Sequence, residues 1–142
     1  MTRTLKLTML ALLAVIGSAS LISIPSLAAS HWPVYRFEIV DQTIHAGHDV
    51  TVSVRLIQTH NYDPNDYKVV TNATITEQKL QMLMDGMAPM QAPVKALSPD
   101  ANGNYRFACD VAAVGDWQLD LSAQVPSETD AVRGTLKLHV VK

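Results

Sequence analysis

The sequence predicts an all-β protein, an immunoglobulin-like β-sandwich of seven or eight antiparallel strands that follows a cleaved signal peptide. Three observations support this class. Apolar and polar residues alternate with a period of two in segment after segment, clusters of turn-forming residues separate those segments, and no stretch beyond residue 30 sustains a helical period. A small β-barrel is the second choice, since it shows the same pattern.

The alternation is clearest in three segments. In "DVTVSVRLIQ" the residues Val50, Val52 and Val54 alternate with polar ones, and "GDWQLDLSAQV" and the segment from Leu136 to Val140 repeat this pattern. Further strands are predicted at 34–40, 67–73, 76–84, 94–97 and 105–109. The separators are rich in Gly, Pro, Asn and Asp, as turns require: "HAGHD", "NYDPND", "DGMAP", "SPDANGN", "AAVGD" and "PSETD".

The first thirty residues have the layout of a secretory signal peptide, with a basic start, an apolar middle and a small-residue exit. Ser26 and Ala28 fit the two small positions before a cleavage site, so we expect a signal peptide at 1–28 and one β-sandwich domain at 29–142, beginning with Ala29. This implies a periplasmic or secreted protein with no membrane span after cleavage. The alternative is that the apolar run is retained as a membrane anchor.

Composition excludes several classes of function. Without the two basic residues of the signal peptide, 9 basic and 13 acidic residues remain, a net charge of 9 − 13 = −4, which argues against nucleic-acid binding. Cys109 is the only cysteine, so no intramolecular disulfide forms, and its position on an apolar strand face predicts a small buried side chain. No nucleophile elbow, phosphate loop or metal-binding helix is present, so we expect no enzyme.

Three short motifs resemble a known family. The order "MDGMAPM", "GNYRF" and "VGDWQLDLSAQV" is similar to the YtkA-like and FixH-like group of small exported bacterial domains. The resemblance implies an immunoglobulin-like sandwich facing the periplasm or the outer cell surface, often connected with copper handling or copper-oxidase assembly, and without established enzymatic activity. The chain departs from the group at Met84-Asp85, where members often carry Met-Pro, and at Val114, where a further Met is common.

Methionines are the main candidate ligands. "MLMDGMAPM" places four methionines in nine residues, and the thioethers of Met84, Met87 and Met90 would suit Cu(I), because they are soft, neutral donors. Strand alternation puts Leu80, Met82 and Met84 on one face, so Met82 is interpreted as core packing, while Met87 and Met90 are predicted to lie in the turn. The competing interpretation is that the whole cluster serves packing.

Histidines offer two further constellations. His45 and His48 flank Ala-Gly in "HAGH", where a turn could bring two imidazoles together, although histidines in loops are usually only solvated. Cleavage after residue 28 would place His31 third in the new chain, where its ring, the amine and two backbone amides could bind Cu(II) or Ni(II). Cleavage after residue 30 would instead make His31 the first residue, chelating through its amine and ring.

Two hypotheses of function follow. The first is an exported, non-enzymatic protein that binds copper through the Met-rich turn and hands it to a membrane or periplasmic complex. The second is a metal-free interaction or assembly module for such a complex, in which the same turn is a deformable apolar contact surface.

Overall fold

The computed structural model describes residues 33–60, 63 and 65–142, and within them the chain forms ten β-strands. The predicted signal peptide, the predicted start at Ala29 and the candidate ligand His31 lie outside these residues. In the part of the chain that is described, no helix has the length and apolar character that a membrane crossing requires.

The strands form two sheets. In chain order they are β1 (Val34–Ile39), β2 (Ile44–His45), β3 (Gly47–Thr59), β4 (Tyr67–Val70), β5 (Thr74–Met82), β6 (Met90–Ala92), β7 (Val94–Leu97), β8 (Tyr105–Val111), β9 (Gly115–Gln124) and β10 (Val132–Val141). The first sheet has the order β1-β3-β8-β7, with β4 also paired to β3, and the second has the order β2-β10-β9-β5-β6. This two-sheet arrangement is that of an immunoglobulin-like sandwich.

The predicted fold class is confirmed, and the differences concern short elements. The segment predicted at 67–73 ends at Val70, and that predicted at 76–84 runs from Thr74 to Met82. β2 and β6 were not predicted, because two or three residues are too few for an alternation to be recognised. The expected turn position of Met90 is therefore wrong, since Met90 begins β6, and β2 pairs in parallel with β10 although all strands were expected to be antiparallel.

The core lies between the inner faces of the two sheets. Val52, Val54 and Leu56 of β3 are fully buried, as the alternation predicts, and so are Phe107 and Leu119. Other residues whose burial was predicted are Cys109, at 0% exposure, and Trp117, at 2%. Large apolar side chains from both sheets therefore exclude water from the interior, which is the main source of stability in a domain without a disulfide.

Strand register places one set of turns at the same end of the sandwich. In the second sheet Met82 is opposite Trp117, while Gly115 is opposite Val140 and Val140 is opposite Ile44. In the first sheet Gly47 is opposite Val111. The β5–β6 turn (83–89), the β8–β9 turn (112–114) and the segment 45–48 therefore lie at one end, which we call the methionine end.

Candidate functional site at the methionine end

The first feature of the site is a cross-strand pair of methionines. β5 and β6 are antiparallel, with Met82 directly opposite Met90 and Leu80 opposite Ala92. Directly opposite residues point to the same face of a sheet, with Cβ atoms about 4.5–5.5 Å apart. Met82 packs against the core, so this is the inner face. Met90 is on the same side at the sheet edge, where it is 51% exposed.

A second pair of methionines, Met84 and Met87, forms the first and last residues of a turn between β5 and β6. The Met87 N–H donates to the Met84 carbonyl oxygen at 3.3 Å, and Gly86 between them has φ +69°, the left-handed value that the third residue of a type II turn needs. The first and last Cα atoms of such a turn lie within about 7 Å. Met84 is half-buried, whereas Met87 is 68% exposed.

The β5–β6 hairpin therefore carries four thioethers at two pairs of neighbouring backbone positions. A methionine side chain has three rotatable bonds, so sulfur atoms from neighbouring backbone positions can converge on one ion without moving the strands. Thioethers are soft and uncharged, which favours Cu(I) over oxygen-seeking ions such as Ca²⁺ and Mg²⁺. The pairing of Met84 with Met87 was not predicted from the sequence, and neither was that of Met82 with Met90.

Beneath the hairpin lies an aromatic residue held at a fixed position. Trp117 is the β9 partner of Met82, and its indole Nε1–H donates to the Ala113 carbonyl oxygen at 2.9 Å. A Cβ atom added to Gly115 would lie 3.1 Å from the terminal methyl of Met82, so that methyl occupies the space a side chain at 115 would fill. Gly115 also has φ +142°, which disfavours any residue with a Cβ.

The two histidines of "HAGH" have separate partners. Nδ1 of His45 lies 2.5 Å from the backbone oxygen of Lys142, whereas Nδ1 of His48 lies 2.9 Å from Oδ1 of Asp110. His45 is on β2 in the second sheet and His48 is on β3 in the first. The structure thus gives the two imidazoles no common partner, and among the described residues no three His, Cys, Asp or Glu side chains form a group that could hold a metal.

The structure places neither histidine on the strands that carry the methionines. β2 and β6 are opposite edges of the second sheet, so four strand spacings, or about 19 Å across the sheet, separate the strand of His45 from that of Met90. His48 belongs to the other sheet and contacts Asp110 beside a register shift in which Asp49 has φ 52°. His139, not considered a ligand from sequence, pairs with Asp116 on the outer face of the second sheet.

Exposed apolar side chains also concentrate at this end. Besides Met87 and Met90, Val114 in the β8–β9 turn is 48% exposed, and the neighbouring residues Ala112 and Ala113 are exposed as well. Together these exposed side chains give the two turns an apolar surface. Such surfaces are typical of sites that contact a partner or a ligand.

Sequence reasoning assigned Met82 and Trp117 to the core alone, and both do pack there. It missed that strand pairing places Met82 between Trp117 and Met90. A signal was present, because Met82 and Met90 lie four residues before and four residues after Gly86, the residue best suited to a turn. Symmetric placement around a turn glycine predicts cross-strand partners once a hairpin is assumed.

A comparison with protein-family models gives one match, to the family described as YtkA-like, over residues 33–122. The match covers more than half of the chain and includes the hairpin, Trp117 and most of both sheets. No curated protein and no solved structure matched the chain.

Proposed function

The chain belongs to the YtkA-like family, and on that premise we propose that it is an exported, non-enzymatic protein that binds Cu(I) transiently on the β5–β6 hairpin. The ion is then passed to a membrane or periplasmic complex. The observation that carries the proposal is the pairing of four methionines on one hairpin, Met82 with Met90 and Met84 with Met87.

The division of these methionines between buried and exposed positions supports a transfer role. Met82 and Met84 are partly buried, whereas Met87 and Met90 are exposed to solvent. An incoming soft ligand from a partner can displace an exposed thioether while a buried one still holds the ion. Because thioethers carry no proton in either state, this ligand exchange requires no proton transfer.

The only thiol of the chain does not compete for the ion. Burial raises the pKa of Cys109 from 9.0 to about 12, so the thiol stays protonated at neutral pH and is a poor metal ligand or nucleophile. Its side chain is fully buried on β8, away from solvent. Copper chemistry in this protein is therefore assigned to thioethers.

A second candidate function is a metal-free contact module, and it is favoured by the exposed Met87, Met90 and Val114. In this alternative the methionine end is the contact surface for a protein of a membrane or periplasmic complex. Flexible methionines adapt to a partner surface without a metal.

The test measures binding of Cu(I) in Met→Leu variants. Leucine keeps the apolar character and nearly the volume of methionine but has no sulfur. Under anaerobic titration against a competing chelator, we expect Met87→Leu and Met90→Leu each to weaken Cu(I) binding by about tenfold or more. Binding no tighter than buffer competition, or unchanged binding in both variants, would refute the copper proposal and leave the contact module.

Export is tested separately. Mass spectrometry of the protein recovered from outside the cytoplasm is expected to give an N-terminal Ala29, as the small residues before it predict. Recovery of the chain with residues 1–28 attached and bound to the membrane would contradict a cleaved signal peptide.

A further inference from the structure

A continuous row of side chains crosses the inner face of the second sheet at the methionine end. Its register runs from Met90 on β6 to Met82 on β5, then to Trp117 on β9 and Leu138 on β10. Neighbours in such a row have Cβ atoms about 4.5–5.5 Å apart. Met82 thus lies directly between a half-exposed thioether and a buried indole.

Met82 and Trp117 both extend toward the β8–β9 turn. The indole of Trp117 donates to the carbonyl oxygen of Ala113, and the methyl group of Met82 lies over Gly115. The polar N–H of Trp117 is therefore already satisfied, and what its ring offers to the row is its π-system. The absence of a side chain at 115 leaves room for the terminal methyl of Met82 beside the strand that carries Trp117.

We propose that Met82 and Met90 hold the bound ion and that the indole of Trp117 forms the inner wall of the site on the far side of Met82, which makes Trp117 a specificity-determining residue. This inference rests on the proposed function and extends it. Indole is the strongest cation-binding aromatic side chain, and sulfur packs favourably against aromatic rings, so the wall orients Met82 and stabilises a positive charge beside it.

The same wall selects for the kind of ion. A buried indole supplies no oxygen ligand, so a divalent ion that depends on oxygen donors and retained water gains nothing from it. A soft monovalent ion sheds its water readily in exchange for thioethers and tolerates an apolar wall. The expected substrate class is therefore Cu(I) or Ag(I), and Zn²⁺ and Mg²⁺ are discriminated against.

The experiment uses the emission of Trp117 as the reporter. The chain contains two tryptophans, so the full chain with Trp32→Phe leaves Trp117 as the one remaining fluorophore. This protein is titrated with Ag(I), and with Cu(I) under anaerobic conditions, while a competing chelator measures how much ion is bound. We expect emission at saturation to fall by at least about twofold, and Zn²⁺ and Mg²⁺ to leave it unchanged.

Two matched variants locate the ion. Met90→Leu removes a member of the row, so any ion still bound elsewhere on the hairpin should no longer quench Trp117 at saturation. Met87→Leu removes an exposed thioether outside the row, and the quench per bound ion should persist even where affinity falls. The amplitude at saturation is the readout, so a change in affinity alone cannot imitate either result.

The possible results distinguish the role of Trp117 from copper binding itself. Saturable binding of Ag(I) or Cu(I) without any change in Trp117 emission overturns this inference and leaves the proposed function standing, as does a full quench in Met90→Leu. Absence of binding overturns both. Trp117 itself is unchanged throughout, so the test does not depend on a variant that fails to fold.

Discussion

Removing the phenolic oxygen of Tyr105 should destabilise the sandwich far more than its small size suggests. Tyr105 is 3% exposed, and its hydroxyl donates to the Val70 carbonyl oxygen at 2.8 Å while accepting from the Ala73 N–H at 3.0 Å. These bonds fix the connection between β4 and β5. In Tyr105→Phe both backbone groups lose their partner, and the packing of the ring is otherwise kept.

The magnitude follows from the two groups left unpaired. Each buried backbone donor or acceptor without a partner costs about 1–3 kcal/mol, so we expect a loss of about 2–4 kcal/mol in the free energy of unfolding. For a domain of this size that corresponds to a fall in Tm of about 10 °C or more. Urea unfolding followed by tryptophan emission measures it as a lower midpoint with an unchanged slope.

The matched control is Tyr67→Phe. Tyr67 is 50% exposed, so its hydroxyl stays in contact with water and its removal should change stability by less than about 0.5 kcal/mol. If Tyr105→Phe proves as harmless as this control, the hydrogen bonds do not hold the β4–β5 connection and the reasoning is wrong. A change in slope instead of midpoint would point to an altered unfolded state.

Three further predictions concern other sites. Because burial raises the pKa of Cys109 to about 12, iodoacetamide at pH 8 should label the urea-unfolded chain and leave the native protein unlabelled; rapid native labelling would contradict the burial. Hydrogen bonds from the Asn104 side chain and from backbone N–H groups hold the pKa of Asp100 below its usual 3.8, so the stability they give is present above pH 3.8 and lost as pH falls through the lower native value. The difference in urea midpoint between wild type and Asp100→Asn should therefore shrink in strong acid, and a constant difference from pH 2 to pH 6 would oppose this. Gly86→Ala should lower the free energy of unfolding by about 1–2 kcal/mol through the φ of +69° alone, since no atom lies within 4 Å of the added Cβ. Gly86→Asn should lower it less, because asparagine tolerates a positive φ better than alanine does. Equal losses in urea unfolding would exclude backbone strain as the cause.

The fold could be predicted because its strands differ sharply between their two faces. In β8 every second residue from Tyr105 to Val111 is buried, and β10 alternates in the same way near its end. That pattern is local, so it is visible in the sequence. β2 and β6 have too few residues to show it, and they form strands because a long neighbour supplies hydrogen-bond partners.

The site was predicted only in part, because its geometry depends on register. The sequence indicated the exposed thioether of Met87 correctly, but the pairing of Met82 with Met90 can be recognised only once a hairpin around Gly86 is assumed. The partners of His45 and His48 are likewise set by residues far along the chain, at 142 and 110. Spacing in sequence suggested a histidine pair, and tertiary structure gave each ring a different neighbour.

The two functional hypotheses use the same surface and differ in which side chains they need. A contact surface depends on exposed apolar groups, so replacing Met87 with leucine leaves it nearly intact and replacing the half-buried Met82 changes little that a partner touches. An ion site depends on sulfur at both positions, and on Met82 most of all, because it is the thioether beside Trp117. Met82→Leu is therefore the sharpest single discriminator. Loss of Cu(I) binding in a variant that still folds requires a metal site, whereas unchanged Cu(I) binding removes Met82 from the site and with it the reason for an aromatic wall.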